Sequence, residues 1–200
     1  MSPGEQNRLE RRVRVRTAAR DDILAAARRV AEREGARNLS LRSVAAEAGF
    51  APATLYGYFR NKDELMLALA ADDLGRLVHA MRDAAREGED RLTAAASAAL
   101  DLLANAETLA AASTAIAPEA NGSEIGRLFN GRLIAALTTL AAAAGGPAES
   151  RESQTDIVLM GAALAGLAML RRGGRLQALG FSVEEVLARL HQFPQTKQAA

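Results

Sequence analysis

Hydrophobic residues recur at helical spacing over residues 17–34, where four apolar positions lie on one face: Ile23, Ala27, Val30 and Ala31. This pattern predicts a helix that starts at Thr17 as its N-cap, runs to about Glu34 and is ended by Gly35. Residues 1–16 have little apolar content and carry five arginines, so they are predicted to form a flexible, Arg-rich arm.

Short apolar segments with cap residues between them predict three further helix starts. Ser40 is an N-cap candidate for a helix over 41–48, and Pro52 suits the first position of a short helix that runs to about Phe59. Asn61 caps the next helix, with Glu64 three residues later as in a capping box.

The rest of the chain reads as longer helices at about 62–86, 91–105, 107–116, 124–144, 152–172 and 182–193, with only a weak break at 106. The chain has 46 alanines among 200 residues, and alanine favours helices and disfavours strands. The predicted fold class is therefore all-α.

Composition excludes several classes of function. The chain has no cysteine and two histidines, which excludes disulfide scaffolds, Cys-ligated zinc, Fe–S clusters and thiol catalysis. No nucleophile–base cluster or phosphate loop is visible, so we predict no enzyme, no metal and no cofactor. The longest apolar run, 157–170, is shorter than the ~20 residues of a bilayer span. We expect a cytoplasmic protein without a membrane segment.

Charge is divided unevenly along the chain. Residues 1–62 hold 13 basic and 7 acidic residues, a net charge of +6, and residues 63–200 hold 12 and 17, a net charge of −5. Such asymmetry suggests a nucleic-acid-binding segment, although a solvated helix face would also produce it.

Residues 39–62 have the pattern of a helix-turn-helix. Ala45 is small enough for a close helix crossing, Gly49 suits the turn, and the remaining apolar residues supply an interior: Val44, Ala48, Phe50, Leu55 and Phe59. A plain helical hairpin would share these features. The side chains left exposed are small or carry hydroxyls, which favours DNA: Ala53, Thr54, Tyr56 and Tyr58, with Gly57.

The same stretch resembles the DNA-binding domain of the TetR family of bacterial transcription regulators. The resemblance rests on Gly35, LRSVAAEAG at 41–49, TLYGYF at 54–59 and NKDEL at 61–65, and it covers residues 20–67. It implies an N-terminal three-helix DNA-binding domain over 17–62 and a larger helical effector-binding and dimerisation domain over 63–200. It also implies that the arm reaches into a minor groove.

Carried over by position, the resemblance implies that Arg42 and Thr54 contact bases or the adjacent backbone. Other positions would contact phosphates, and the full predicted DNA-binding set is Arg42, Ser43, Ala53, Thr54, Tyr56, Tyr58 and Lys62. Three positions depart from the family pattern: Phe50, Ala51 and Gly57. The loss of a cap oxygen at Ala51 typically costs about 1 kcal/mol.

Two further sets of residues are predicted in the C-terminal part. An apolar effector pocket would be lined by His79, Met81, Leu103, Phe129, Leu133, Met160 and Leu164. A dimer interface would contain Leu159, Ala163, Leu167, Leu170, Val186 and Leu190. The same residues at helical spacing would equally suit the core of one subunit, and a lone histidine is more often a surface or core residue than a ligand anchor.

Together these features predict a homodimeric regulator, most simply a repressor that a small, largely apolar effector releases from a palindromic operator in double-stranded DNA. Two alternatives remain open from sequence alone. One is a helical carrier or enzyme whose helix-turn-helix is merely structural. The other is an activator, or a regulator without an effector.

Overall fold

The computed structural model describes residues 2–105, 123–146 and 149–190, and every regular element in those ranges is a helix. The all-α prediction is confirmed. The predicted helix at 107–116 and the end of the last helix lie outside the described residues. The helices are α1 Pro3–Glu34, α2 Leu41–Ala48, α3 Pro52–Tyr56, α4 Lys62–Glu87, α5 Arg91–Asn105, α6 Glu124–Ala143, α7 Arg151–Arg172, α8 Arg175–Ala178 and α9 Val183–Leu190.

The first helix corrects the predicted start near Thr17 and the flexible arm before it. α1 begins at Pro3, so residues 3–16 are helical. The cause is a capping box: the Ser2 N–H donates to the Glu5 carboxylate over 2.8 Å, and the Glu5 N–H donates to the Ser2 hydroxyl over 3.3 Å. Proline at the first position suits a helix start.

Two short elements also differ from prediction. α3 ends at Tyr56 instead of Phe59, and Ala51 gives it no side-chain cap, as expected. The N–H groups of Tyr58 and Phe59 both donate to the Leu55 carbonyl, which closes the helix in a turn. α8 is a single turn after Gly174, between the helices predicted at 152–172 and 182–193.

The N-terminal core is formed by α1, α2, α3 and the first part of α4. Val44, Leu55 and Phe59 of the predicted interior are fully buried, and Ala45 is buried as the close crossing requires. Ala48 and Phe50 are partly buried against this core. The predicted packing of the helix-turn-helix is therefore confirmed.

The C-terminal core is formed by the rest of α4 with α5, α6, α7, α8 and α9. The helix α4 belongs to both cores, because Leu69 is buried in the N-terminal one and Leu74 in the C-terminal one. The bundle is thus joined to the small N-terminal domain by one continuous helix.

An ionic cluster marks the changeover on α4. Arg28 of α1 binds Asp72 over 3.1 Å and also binds Asp73. Arg132 of α6 donates to the Ala71 carbonyl over 3.1 Å and lies 3.8 Å from Asp72. Burial lowers the pKa of Arg28, but its hydrogen bonds to the two aspartates outweigh burial and raise that pKa. Arg28 therefore stays charged, and the cluster links α1, α4 and α6.

A second ionic link holds α2 against α1. Arg29 donates to the Glu47 carboxylate over 2.7 Å, and Arg33 donates to its other oxygen over 3.0 Å. These two hydrogen bonds lower the pKa of Glu47, so the carboxylate stays ionised well into acid.

We expect Gly49→Ala to destabilise the protein, because Gly49 has φ 72° and ψ 23°, in the left-handed region. A side chain there costs about 1–2 kcal/mol, and the space around the position is open, so no clash adds to that cost. Urea unfolding measures the difference. Gly131→Ala is the control, since Gly131 is exposed in α6 with open space around it. It should stabilise the protein by up to about 1 kcal/mol. Equal stability of Gly49→Ala and wild type would contradict the turn geometry.

We expect Glu47→Gln to lower the free energy of unfolding at neutral pH and to have a vanishing effect in acid. The folded state lowers the pKa of Glu47, so its contribution is fully present above the unfolded value of 4.5. That contribution is lost as pH falls through the lower folded value. Unfolding curves of both proteins between pH 7 and pH 3 test this. A difference that persists unchanged at pH 3 would show that the ion pairs are not its source.

Candidate nucleic-acid interface

Reciprocal capping fixes the start of α2. The Ser43 N–H donates to the Ser40 hydroxyl over 3.1 Å, and the Ser40 N–H donates to the Ser43 hydroxyl over 3.1 Å. Ser43, a predicted DNA contact, is half-buried, and both its hydroxyl and its N–H are engaged in hydrogen bonds of the cap. Arg42, the residue immediately before Ser43, is exposed in the same first turn.

Three predicted contacts stand exposed on α3. Ala53, Thr54 and Tyr56 all face solvent, and 57% of Tyr56 is accessible. Leu55, between them, is fully buried and fixes the rotation of this five-residue helix. The structure therefore presents a small side chain, a hydroxyl and a phenol on one short helix, next to a turn that follows the helix of Arg42.

The end of α3 is held by α1. The Arg16 guanidinium donates to the Gly57 carbonyl over 3.1 Å and lies 5.4 Å from the centre of the Tyr58 ring. Arg20, one turn later, lies 5.8 Å from the centre of the Phe59 ring. Tyr58 is half-buried as a result. Sequence reasoning missed these two arginines because it placed Arg16 in a flexible arm, although both share a helix face with Ile23.

Lys62 lies at the start of α4, as predicted, and its ammonium donates to the Arg37 carbonyl over 2.6 Å. An ammonium has three donors, so others remain for a second acceptor. Asn61 caps α4 by accepting the Glu64 N–H over 2.8 Å. The Glu64 carboxylate accepts from the Arg60 N–H, one residue before the position expected for a capping box.

The predicted effector residues divide into two groups. Five belong to the C-terminal core or pack against it: Met81, Leu103, Phe129, Met160 and Leu164. His79 is instead exposed on α4, where its Nδ1 lies 2.8 Å from the Gly75 carbonyl of its own helix. Leu133 is 41% exposed on α6. Both are corrections to the predicted pocket, because neither is enclosed by that core.

The predicted interface residues also divide. Leu159, Ala163 and Leu170 are exposed on α7, whereas Leu167 is buried in the subunit's own core and Val186 packs against it. Leu167 is thus a correction, since its face of α7 points inward. The Leu190 side chain lies outside the described residues. Within the described ranges, no three His, Asp or Glu side chains are grouped as metal ligands.

A family model described as bacterial regulatory proteins, tetR family, matches residues 23–69. That range runs from the buried part of α1 through α2 and α3 into α4. A curated relative, the HTH-type nicotine-responsive transcriptional repressor HdnoR of Paenarthrobacter nicotinovorans, is 39% identical over 83 residues. The match covers 42% of this chain and 42% of that protein, so it spans less than half of the relative's length.

Solved structures match over most of the chain. A protein of unknown function from Rhodococcus sp. RHA1 is 32% identical with a TM-score of 0.66, covering 88% of this chain and 93% of that one. FadR of Bacillus subtilis, solved in complex with stearoyl-CoA, has 18% identity and a TM-score of 0.58. It covers 86% of this chain and 95% of that one, and at this identity it shows the shared fold alone. On the matched N-terminal model, the curated relative and this helical architecture, the chain belongs to the TetR family of bacterial regulatory proteins.

Proposed function

We propose that the protein is a DNA-binding transcriptional regulator that reads double-stranded DNA with α3. The observation that carries this proposal is the exposure of Ala53, Thr54 and Tyr56 on a helix whose other side is locked into the core by Leu55. Small and hydroxyl side chains permit close approach to a groove. Such a regulator works in the bacterial cytoplasm, where the chromosome lies.

The proposed contacts follow from the chemistry of each exposed group. Arg42 suits a bidentate contact to guanine, and the Thr54 methyl and hydroxyl suit thymine or phosphate. The Tyr56 phenol and the Lys62 ammonium donate to phosphate oxygens. Tyr58 is also assigned to phosphate. Less of its surface is accessible, because its ring lies beneath Arg16.

We also propose that two copies bind one palindromic operator. A helix of five residues reaches few base pairs, and a two-fold axis doubles the site and fixes its spacing. An exposed apolar face of α7 offers the contact: Val158, Leu159, Ala162, Ala163, Gly166, Met169 and Leu170. α7 is long and apolar enough to cross a membrane by length and composition. A second copy fits better, because charged residues on both sides limit the apolar run of α7 to 157–170. The opposite face of the helix is buried in the core of its own subunit.

The proposed mode is repression relieved by a small, largely apolar effector in the C-terminal domain. Met81, Met160 and Leu164, with the partly buried Phe129 and Leu103, give that domain an apolar interior. The curated relative is named a nicotine-responsive repressor, and FadR of Bacillus subtilis, which shares the fold, was solved in complex with stearoyl-CoA, so an organic effector is consistent with both. An effector that binds one state better shifts α4, and α4 carries α1–α3 with it.

No observation on the described residues favours the alternative of a helical carrier or enzyme. The deciding experiment starts from a random pool of duplexes, from which the purified protein enriches the sequence that it prefers. Affinity for that duplex, measured by fluorescence anisotropy, is then compared among variants.

We expect Arg42→Ala to weaken binding to the enriched duplex by about 5- to 150-fold, because a bidentate base contact contributes about 1–3 kcal/mol. Preference at one base position should relax at the same time. Arg91→Ala is the matched control, since Arg91 is exposed at the start of α5 in the C-terminal bundle. It removes the same charge and should leave affinity nearly unchanged. Equal losses in both variants would remove Arg42 from the proposed interface.

We expect Leu159→Glu to convert the protein from two chains to one chain of 21.1 kDa in sedimentation, because 52% of Leu159 is exposed on the apolar face of α7. A carboxylate buried there by a second copy would lack a partner. Thr138→Glu, at an exposed position of α6, should leave the mass unchanged. A wild type that sediments as one chain at micromolar concentration would contradict the dimer.

A further inference from the structure

The arginines of α1 have different surroundings in its two halves. In the second half, Arg28, Arg29 and Arg33 all bind carboxylates of the same chain. In the first half, within the described ranges, no ion pair engages Arg8, Arg11, Arg12 or Arg14. All four are exposed, and the acids of residues 3–16 are only Glu5 and Glu10. With five arginines and two glutamates, residues 3–16 therefore form a helical surface with a net charge of +3.

One face of α1 leads from the N-terminal core to the end of α3. With 3.6 residues per turn, Arg16 lies within about 20° of Ile23 around the helix axis. Ile23 is fully buried, and Arg16 is bonded to the Gly57 carbonyl and stacked on Tyr58. The face of α1 that packs inside the N-terminal domain thus continues toward the N-terminus of α1, alongside α3.

The next turns of that face carry Arg12 and Arg8. At 1.5 Å per residue, they lie about 6 Å and 12 Å beyond Arg16 along the axis. Arg14 lies about 160° around the axis from Arg12, on the other side of the helix. The same segment therefore offers a basic side chain toward the surface of α3 and another directed away from it.

A helical segment cannot act as the minor-groove arm that the sequence suggested. An α-helix with side chains is about 10–12 Å wide, and the minor groove of B-DNA is about 6 Å wide. Long arginine side chains on such a helix can instead reach phosphate oxygens at the rim of a groove. A second copy of the segment is a poor occupant, because two surfaces of net positive charge repel each other.

We propose that residues 3–16 of α1 form a second DNA-contacting element, in which Arg12 and Arg8 bind phosphates that flank the base pairs reached by α3. Arg16 is the positioning residue of this element, since it joins the helix to the Gly57 carbonyl. The inference rests on the proposed function and deepens it. The contact adds affinity and salt dependence without sequence preference, because phosphates carry no sequence information.

The test compares Arg12→Ala with Arg14→Ala, which remove one charge each from opposite sides of the same segment. Alanine keeps the helix, and circular dichroism verifies this. Anisotropy is measured at several salt concentrations on the enriched duplex, on a scrambled duplex and on the enriched duplex trimmed of its flanking base pairs. We expect Arg12→Ala to reduce the salt slope by about one on the two long duplexes alike. Arg14→Ala should leave the salt slope unchanged. On the trimmed duplex, Arg12→Ala and wild type should have equal salt slopes.

Equal slopes for Arg12→Ala and wild type on the long duplexes, with normal operator preference, would overturn this inference and leave the proposed function standing. Equal losses for Arg12→Ala and Arg14→Ala would also overturn it, because a general loss of charge would then explain both. A wild type that prefers no duplex at all would instead end the proposed function, and this inference with it.

Discussion

The helix α4 is the constraint on which the other elements depend, because one unbroken helix is part of two hydrophobic cores. Leu65 and Leu69 are buried with α1–α3, and Leu74 and Leu77 are buried with the C-terminal bundle. A helix that is packed at both ends moves as a unit, so the position of α3 depends on the packing of the bundle. At the changeover, the cluster around Asp72 ties α1 and α6 to the same turn of α4. Removing one partner of a partly buried pair leaves the other charge uncompensated, which makes this turn a sensitive point.

Local chemistry explains which parts of the fold could be predicted. Caps and turns act over three or four residues, so Ser40, Gly49 and Asn61 could be assigned without knowledge of the tertiary structure. The start of α1 was missed because residues 3–16 hold only three aliphatic side chains, Leu9, Val13 and Val15, all of them exposed, although the Ser2–Glu5 capping box is also a local signal. Apolar residues recur at helical spacing where one face of a helix is buried, so a fully exposed helix does not show this pattern in its sequence.

The candidate nucleic-acid interface likewise combines features that the local sequence indicates with contacts that depend on tertiary packing. Exposure on α3 follows from a local pattern in which Leu55 is buried and its neighbours are not. The contact of Arg16 with Gly57 joins residues 41 positions apart and therefore depends on how α1 packs. The 157–170 part of α7 is apolar on every face, so its sequence could not indicate that Leu167 points inward while Leu159 points outward. The exposure of His79 likewise depends on neighbouring elements that the sequence does not specify.

Sequence-specific binding by a pair of chains is tested most directly by fluorescence anisotropy of the wild-type protein on three duplexes of equal length. These carry the full two-fold-symmetric site, one half-site and a scrambled sequence. We expect the full site to bind at least about 10³-fold more tightly than the scrambled duplex at physiological salt. The half-site should fall between the two. Equal affinity for the full and the scrambled duplex would contradict a role in reading DNA sequence.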